Sequence, residues 1–211
     1  MKTNQELKNA ALAALKGNWG TAVLCSLVIV AVFSALSLSI PSEEPVVLLV
    51  CVAISLASTV FLRFPLQVGF YNTFRVFVSE GDCNMISNTF KIAFANYWHN
   101  VNGMLLMNIR IILWTMLFII PGIIKSFSYA MTPYILAERP ELSVSEAIDL
   151  SCEMMDGHKA RLFGLSLSFI GWGFLVILTL GIGFFWLVPY MNTTIACFYE
   201  ELKAARTISS C

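Results

Sequence analysis

With 58% of its 211 residues hydrophobic, 12% charged and a mean hydropathy of +0.77, the chain holds more apolar surface than a water-soluble domain of this size can hide. Thirteen Lys or Arg against 13 Asp or Glu leave a formal net charge of zero, and no nucleic-acid partner is expected. The expected class is all-α: a polytopic membrane helix bundle in which residues 1–211 form a single integral membrane domain. About six transmembrane helices in three hairpins, with interfacial amphipathic helices between them, would account for the apolar runs.

In chain order, Thr3 and Glu6 make a capping box, and Leu7, Ala10, Ala11, Ala14 and Leu15 recur at helical spacing until Gly17. Residues 3–17 therefore read as a helix lying on the membrane surface, with Trp19 at headgroup depth. The uncharged run from Gly17 to Ser42 predicts a crossing over about 19–40, and a second follows over about 46–70, past Arg63. The short segment Pro41-Ser42-Glu43-Glu44-Pro45 would join them. A cleaved leader ending near Ala35-Leu36-Ser37 is the competing reading; the polar start and the length of the apolar run weigh against it.

A second amphipathic segment, 84–99, gathers Ile86, Phe90, Ala93, Phe94, Tyr97 and Trp98 on one face. Crossings over about 101–120 and 123–137 follow, with Pro121-Gly122 as their turn. A third amphipathic segment, 143–156, starts at Ser143 with Glu146 as cap partner and sets Val144, Ile148, Cys152 and Met155 on one side. Its Glu146, Asp149, Glu153 and Asp156 stripe reads as the solvated side. The final 38 uncharged residues, Leu162 to Tyr199, are broken only at Leu180-Gly181-Ile182-Gly183, giving crossings over about 162–180 and 184–199. Each of the Leu, Ile, Phe and Val residues there favours insertion by roughly 0.3 to 0.6 kcal/mol.

Lys2, Lys8, Lys16, Arg75, Lys91, Arg139, Lys159, Arg161, Lys203 and Arg206 all fall on the long-loop side, while the short turns carry only Glu43 and Glu44. The bias of basic residues puts that side, and both termini, in the cytoplasm.

Within the crossings no Asp or Glu occurs, which weighs against an ion-coupled transporter. Arg110 falls near the middle of the third crossing, where a cation costs roughly 2.5 to 3.5 kcal/mol. It reads either as a contact for an anionic headgroup or substrate, or as a brace to carbonyls or a cytoplasmic carboxylate. Arg63 and Lys125 lie nearer the interfaces, within snorkelling reach of headgroups. His158, Lys159 and Arg161 make a short basic patch suited to anionic lipid. Pro65, Pro133 and Pro189 recur on the returning crossings as candidate helix breaks, and suggest a threefold pseudo-repeat. Gly164, Ser168 and Gly171 form a small-residue face for close helix packing. The six cysteines have no paired or metal-binding spacing and read as free thiols; no catalytic residue, metal or cofactor is expected.

Several segments carry a resemblance: Leu15-Lys16-Gly17-Asn18-Trp19-Gly20, Ile120-Pro121-Gly122-Ile123-Ile124-Lys125, Tyr134-Ile135-Leu136-Ala137-Glu138, Glu146-Ala147-Ile148, Met154-Met155-Asp156-Gly157-His158-Lys159, and Leu178-Thr179-Leu180-Gly181-Ile182-Gly183 with Pro189-Tyr190-Met191. Through them the chain resembles the bacterial integral-membrane family catalogued as domain of unknown function 975, most strongly from Ile119 to Glu201. The resemblance implies a multi-pass protein of the bacterial cytoplasmic membrane and supplies no functional residues.

The expectation is thus a non-enzymatic protein acting by lipid contact, or as a scaffold for other membrane or cytoplasmic proteins, through its cytoplasmic face. The alternative is a small transporter or export factor whose path passes Arg110 and the prolines. A membrane enzyme ranks behind both, for want of converging titratable groups.

Overall fold

The computed structural model describes residues 2–36 and 44–209, which form eleven α-helices and no strand. Most of the expected 41–45 turn and the end of the 19–40 crossing lie outside the described residues, as does Cys211.

Helix α1 (Asn4–Leu15) opens on the expected capping box: the Glu6 N–H donates to the Thr3 hydroxyl at 3.3 Å, and the Thr3 N–H to the Glu6 carboxylate at 2.6 Å. At Gly17 the backbone takes φ +92°, and the chain bends by 98° into α2 (Trp19–Leu36). Helix α3 (Pro45–Ser58), a π-helical turn at Thr59–Arg63 and α4 (Phe64–Glu80) run on as one rod of 36 residues. Pro65 has no N–H to offer the Phe61 carbonyl, and the Tyr97 hydroxyl donates to that carbonyl instead, at 2.7 Å. Tyr97→Phe should therefore lower the thermal midpoint in detergent, by the equivalent of about 1 kcal/mol.

Helix α5 (Met85–Ala95) packs on α4 through a face of small residues. Thr73 and Thr89 share a hydroxyl–hydroxyl bond of 2.9 Å, and Cys25 of α2 reaches Thr89 at 3.6 Å. The buried side is Met85, Thr89 and Ala93, whereas Ile86, Phe90, Phe94 and Trp98 are exposed. The apolar face read from the sequence is thus divided: Ala93 packs inward, and the bulky members form a second, outward stripe.

Helices α6 (Tyr97–Leu117) and α7 (Ile119–Ser128) meet at Phe118, which is extended at φ −155° and ψ 140°. Pro121 and Gly122 accordingly sit in the first turn of α7, where a missing N–H costs nothing. Gly122 allows the legs to touch, since a Cβ there would lie 2.7 Å from the Thr115 Cα. Residues 123–137 form two helices, α7 and α8 (Thr132–Glu138). Ser151 of α9 (Val144–Met154) closes the gap, donating to the Ser128 carbonyl at 2.9 Å and accepting the Met131 N–H at 3.2 Å. Helices α10 (Lys159–Leu178) and α11 (Phe184–Ser209) follow, joined through Leu180 and Gly181 in left-handed conformation.

Among the described residues three helical stretches are long and apolar enough to span a membrane: Pro45–Glu80, Tyr97–Leu117 and Lys159–Leu178. Counting the bent α1–α2 pair as one broken span makes four. Six crossings were expected; 101–120 and 162–180 correspond to two of the long helices, and 46–70 lies within the third. Several apolar helices of this kind are compatible with a membrane protein.

The molecule divides into a packed base and bare projections. In the base, α1 buries Leu7, Ala11 and Leu15, and α9 buries Ala147, Ile148 and Met154. Both amphipathic helices thus cover protein with the sides expected to meet lipid. Outside the base, α3 has no buried residue, Met116 at the α6–α7 tip is 81% exposed, and Leu180 at the α10–α11 tip is 94% exposed.

Candidate functional site

Where the projections leave the base they enclose an unsealed cavity of about 590 Å³. Phe33 comes from α2, Gln67 and Tyr71 from α4, Ile111 from α6, Ser126 and Phe127 from α7, Ser166 from α10, and Val188 and Asn192 from α11. Its lining holds one charged residue, Arg63, from the π-helical turn. The Arg63 guanidinium lies over the Phe33 ring, 5.2 Å from its centroid.

Behind the cavity, three tyrosines stack toward the base: Tyr71 on Tyr134 at 6.0 Å and Tyr134 on Tyr199 at 5.0 Å. The stack ends in an ionic cluster that ties α4, α8 and α11 together. Glu138 receives the Tyr199 hydroxyl at 2.5 Å and the Lys203 ammonium. Arg75 lies 3.8 Å from Glu138 and 3.7 Å from Glu200. Asn72 holds Arg75 in place, accepting its Nε–H at 3.1 Å while donating to the Pro133 carbonyl at 2.7 Å. Burial pushes the Glu138 carboxyl up, but hydrogen bonds from Lys203 and Tyr199 and the Arg75 charge outweigh it, so its pKa is below the usual glutamate value. Two cations and two carboxylates balance, so the cluster braces helices and leaves no net charge to bind a ligand.

The sequence-predicted residues do not converge. Arg110 donates to Ser145 of α9 at 2.8 Å and pairs with Asp149 at 3.3 Å; it does not line the cavity. Lys125 lies 5.1 Å from the Trp114 ring centroid. Lys159 pairs with Asp156 at 3.8 Å, and Arg161 with Glu201 at 2.9 Å. Arg161 also holds the Lys2 carbonyl, pinning the chain start to α10 and α11. His158 borders a small surface hollow with Glu153 and Arg206. The charges of Arg110, Lys125 and Lys159 all bear on the Cys152 thiol. Burial raises its pKa and the three cations pull the other way. Pro133 lines the cavity; Pro65 and Pro189 lie within continuous helix, in the long rod and in α11.

Residues 116–206 match the model of a family described as protein of unknown function (DUF975). This stretch of the chain is similar to that family. The resemblance read from Ile120 to Met191 is thereby borne out, under a description that names no activity. No curated protein and no solved structure matches the chain. The DUF975 segment takes in Glu138, Tyr199, Glu200 and Lys203, while Asn72, Arg75 and Arg63 lie before it. The family segment therefore needs α4 to complete its ionic cluster.

Sequence reading missed the cluster, because Glu138 and Lys203 are 65 residues apart and each looks like an ordinary surface charge. A usable signal was the Tyr134 to Glu138 segment, where an aromatic and a carboxylate flank one helical turn.

Proposed function

We propose that this is a non-enzymatic, multi-pass protein of a bacterial cytoplasmic membrane, working through lipid contact and as a scaffold for other proteins on its cytoplasmic face. The observation that carries the reading is the bare apolar surface of the projections set against a packed base. Val46, Met116, Ile120, Leu178 and Leu180 are each more than 70% exposed, an arrangement that water would penalise and hydrocarbon would not.

In this reading the projections are three hairpins in the bilayer and the base is cytoplasmic, with both termini on that side. The middle hairpin is short. Arg110 pairs with the exposed Asp149, so the aqueous boundary passes near residue 110. Only seven further residues lead to Leu117, a rise of about 10 Å against a hydrocarbon core of about 30 Å. We read this hairpin as entering and leaving on one side, which changes the six expected crossings to four plus a re-entrant pair. The termini stay together either way. Arg110 and Lys159, paired with Asp149 of α9 and Asp156 of the turn after it, then stand at the headgroup level of the inner leaflet.

The transporter alternative has the cavity in its favour. Against it, Arg110 is engaged by α9, and of the three prolines only Pro133 reaches the cavity.

The test uses cells expressing the full chain with single cysteines in a cysteine-free background and an impermeant thiol reagent. Leu180→Cys should label from outside, Ala205→Cys only after the membrane is opened, and Ile119→Cys should resist outside labelling. Outside labelling of position 119 would restore a full crossing there. A chain that leaves the membrane fraction without detergent would sink the reading.

A further inference from the structure

We infer that the cavity among the hairpins holds one acyl chain of an anionic phospholipid, with Arg63 binding its phosphate. This rests on the membrane reading above and names the lipid class that the site selects. The cavity, about 590 Å³, is of the size that holds an extended apolar group. Phe33, Phe70, Met107, Ile111, Phe127 and Val188 give it apolar walls from five helices.

The headgroup follows from the charge. The lining has no Asp, Glu, Lys or His to neutralise Arg63, and among the described residues no carboxylate lies within ion-pair distance of it. Three other polar side chains of the wall are engaged internally: Asn192 on the Val188 carbonyl at 2.8 Å, Ser166 on the Leu162 carbonyl at 3.0 Å, and Gln67 on the Tyr71 hydroxyl at 3.1 Å. Arg63 keeps its planar fork of N–H groups, because the Phe33 face orients the guanidinium without taking a proton from it. A phosphate oxygen pair matches that fork.

The apolar chamber beside Arg63 selects lipid as the source of the phosphate, because inorganic phosphate has no part that could fill it. Phe61, two residues before Arg63, meets the Trp98 ring edge-on at 6.4 Å and gives its carbonyl to Tyr97, and Phe94 stacks on Tyr97 at 6.0 Å. Phe61, Phe94 and Trp98 are exposed and Tyr97 is half-buried, so an aromatic collar stands beside the arginine. Arg63 is exposed beside them, at the mouth of an apolar chamber.

The experiment is native mass spectrometry of the full chain released from nanodiscs of phosphatidylcholine with a minority of phosphatidylglycerol. The wild type should carry one phosphatidylglycerol per chain through delipidation. Arg63→Gln should lose that preference about fivefold, the factor one basic group is worth at an anionic surface, with its thermal midpoint unchanged. Arg63→Lys should keep part of it. Ile111→Trp, which fills the chamber, should lose retained lipid of either headgroup, and inorganic phosphate in large excess should displace none. Undiminished phosphatidylglycerol on Arg63→Gln, retained lipid on Ile111→Trp, or displacement by phosphate alone would each overturn the assignment. These outcomes are separate from the membrane reading, which fails only if the chain needs no detergent or labels from the wrong side.

Discussion

Gly69→Ala should destabilise the protein by about 3 kcal/mol, more than any other single methyl added to the helices. A Cβ at position 69 would lie 2.2 Å from the Thr89 carbonyl oxygen and 3.0 Å from the Ala93 nitrogen, both backbone atoms of α5. Neither can rotate away, and shifting α5 would break the Thr73–Thr89 bond and the contact with Cys25 behind it. Gly103 makes the informative contrast. Its added methyl would meet the Leu136 side chain at 2.4 Å, but the opposing atoms are the end of a flexible chain, so about 1 to 2 kcal/mol is expected. Gly20 lies in the first turn of α2 with nothing within 4 Å, and Gly20→Ala should gain up to about 1 kcal/mol from helix propensity alone. Thermal midpoints in detergent should therefore rank Gly69→Ala lowest, then Gly103→Ala, then wild type, then Gly20→Ala. Equal midpoints for the position 69 and 20 variants would mean that α4 and α5 do not pack at this distance.

What the sequence made legible is what local chemistry decides. The capping boxes at Thr3 and Ser143 formed as read, because both partners lie within one turn of chain. The Leu180 to Gly183 reversal was equally plain, since few residues besides glycine tolerate positive φ. Pro121-Gly122 misled for a related reason. Proline is as well suited to the first turn of a helix as to the turn before it, and Phe118 took the extended conformation instead. Amphipathicity showed that α1, α5 and α9 each have an apolar side, but not whether lipid or protein covers it. Leu7 and Ile148 proved to be core, Phe90 and Trp98 to be outward. The cavity and the ionic cluster were beyond reach, because each is assembled from helices distant in the chain. Arg63 looked like a residue waiting for headgroups; only the arrangement of seven helices around it puts a chamber at its side.

Glu138→Gln should cost about 2 to 3 kcal/mol at neutral pH, measured by thermal or denaturant unfolding in detergent. The glutamine keeps the size and can accept from Tyr199, but it removes the carboxylate charge from beside both Lys203 and Arg75, which then share Glu200. The effect has a pH signature. The Glu138 pKa is lower in the folded chain than its ordinary value, so the folded state holds fewer protons than the unfolded one as acid is added. Its contribution is complete above the ordinary glutamate range, and is lost as pH falls through that range to the lower folded value. Wild type should thus lose stability on acidification below about pH 5, and Glu138→Gln should lose less over the same interval, so that the two curves converge at low pH. Convergence will not flatten the variant's curve. Glu6 and Glu146, in the two capping boxes, and Asp82, hydrogen-bonded to Asn84 and Asn88, are also held below their ordinary values and titrate in both proteins. Parallel curves would mean that Glu138 gains nothing from Arg75, Lys203 and Tyr199, and that α4, α8 and α11 are joined by apolar packing and the tyrosine stack alone.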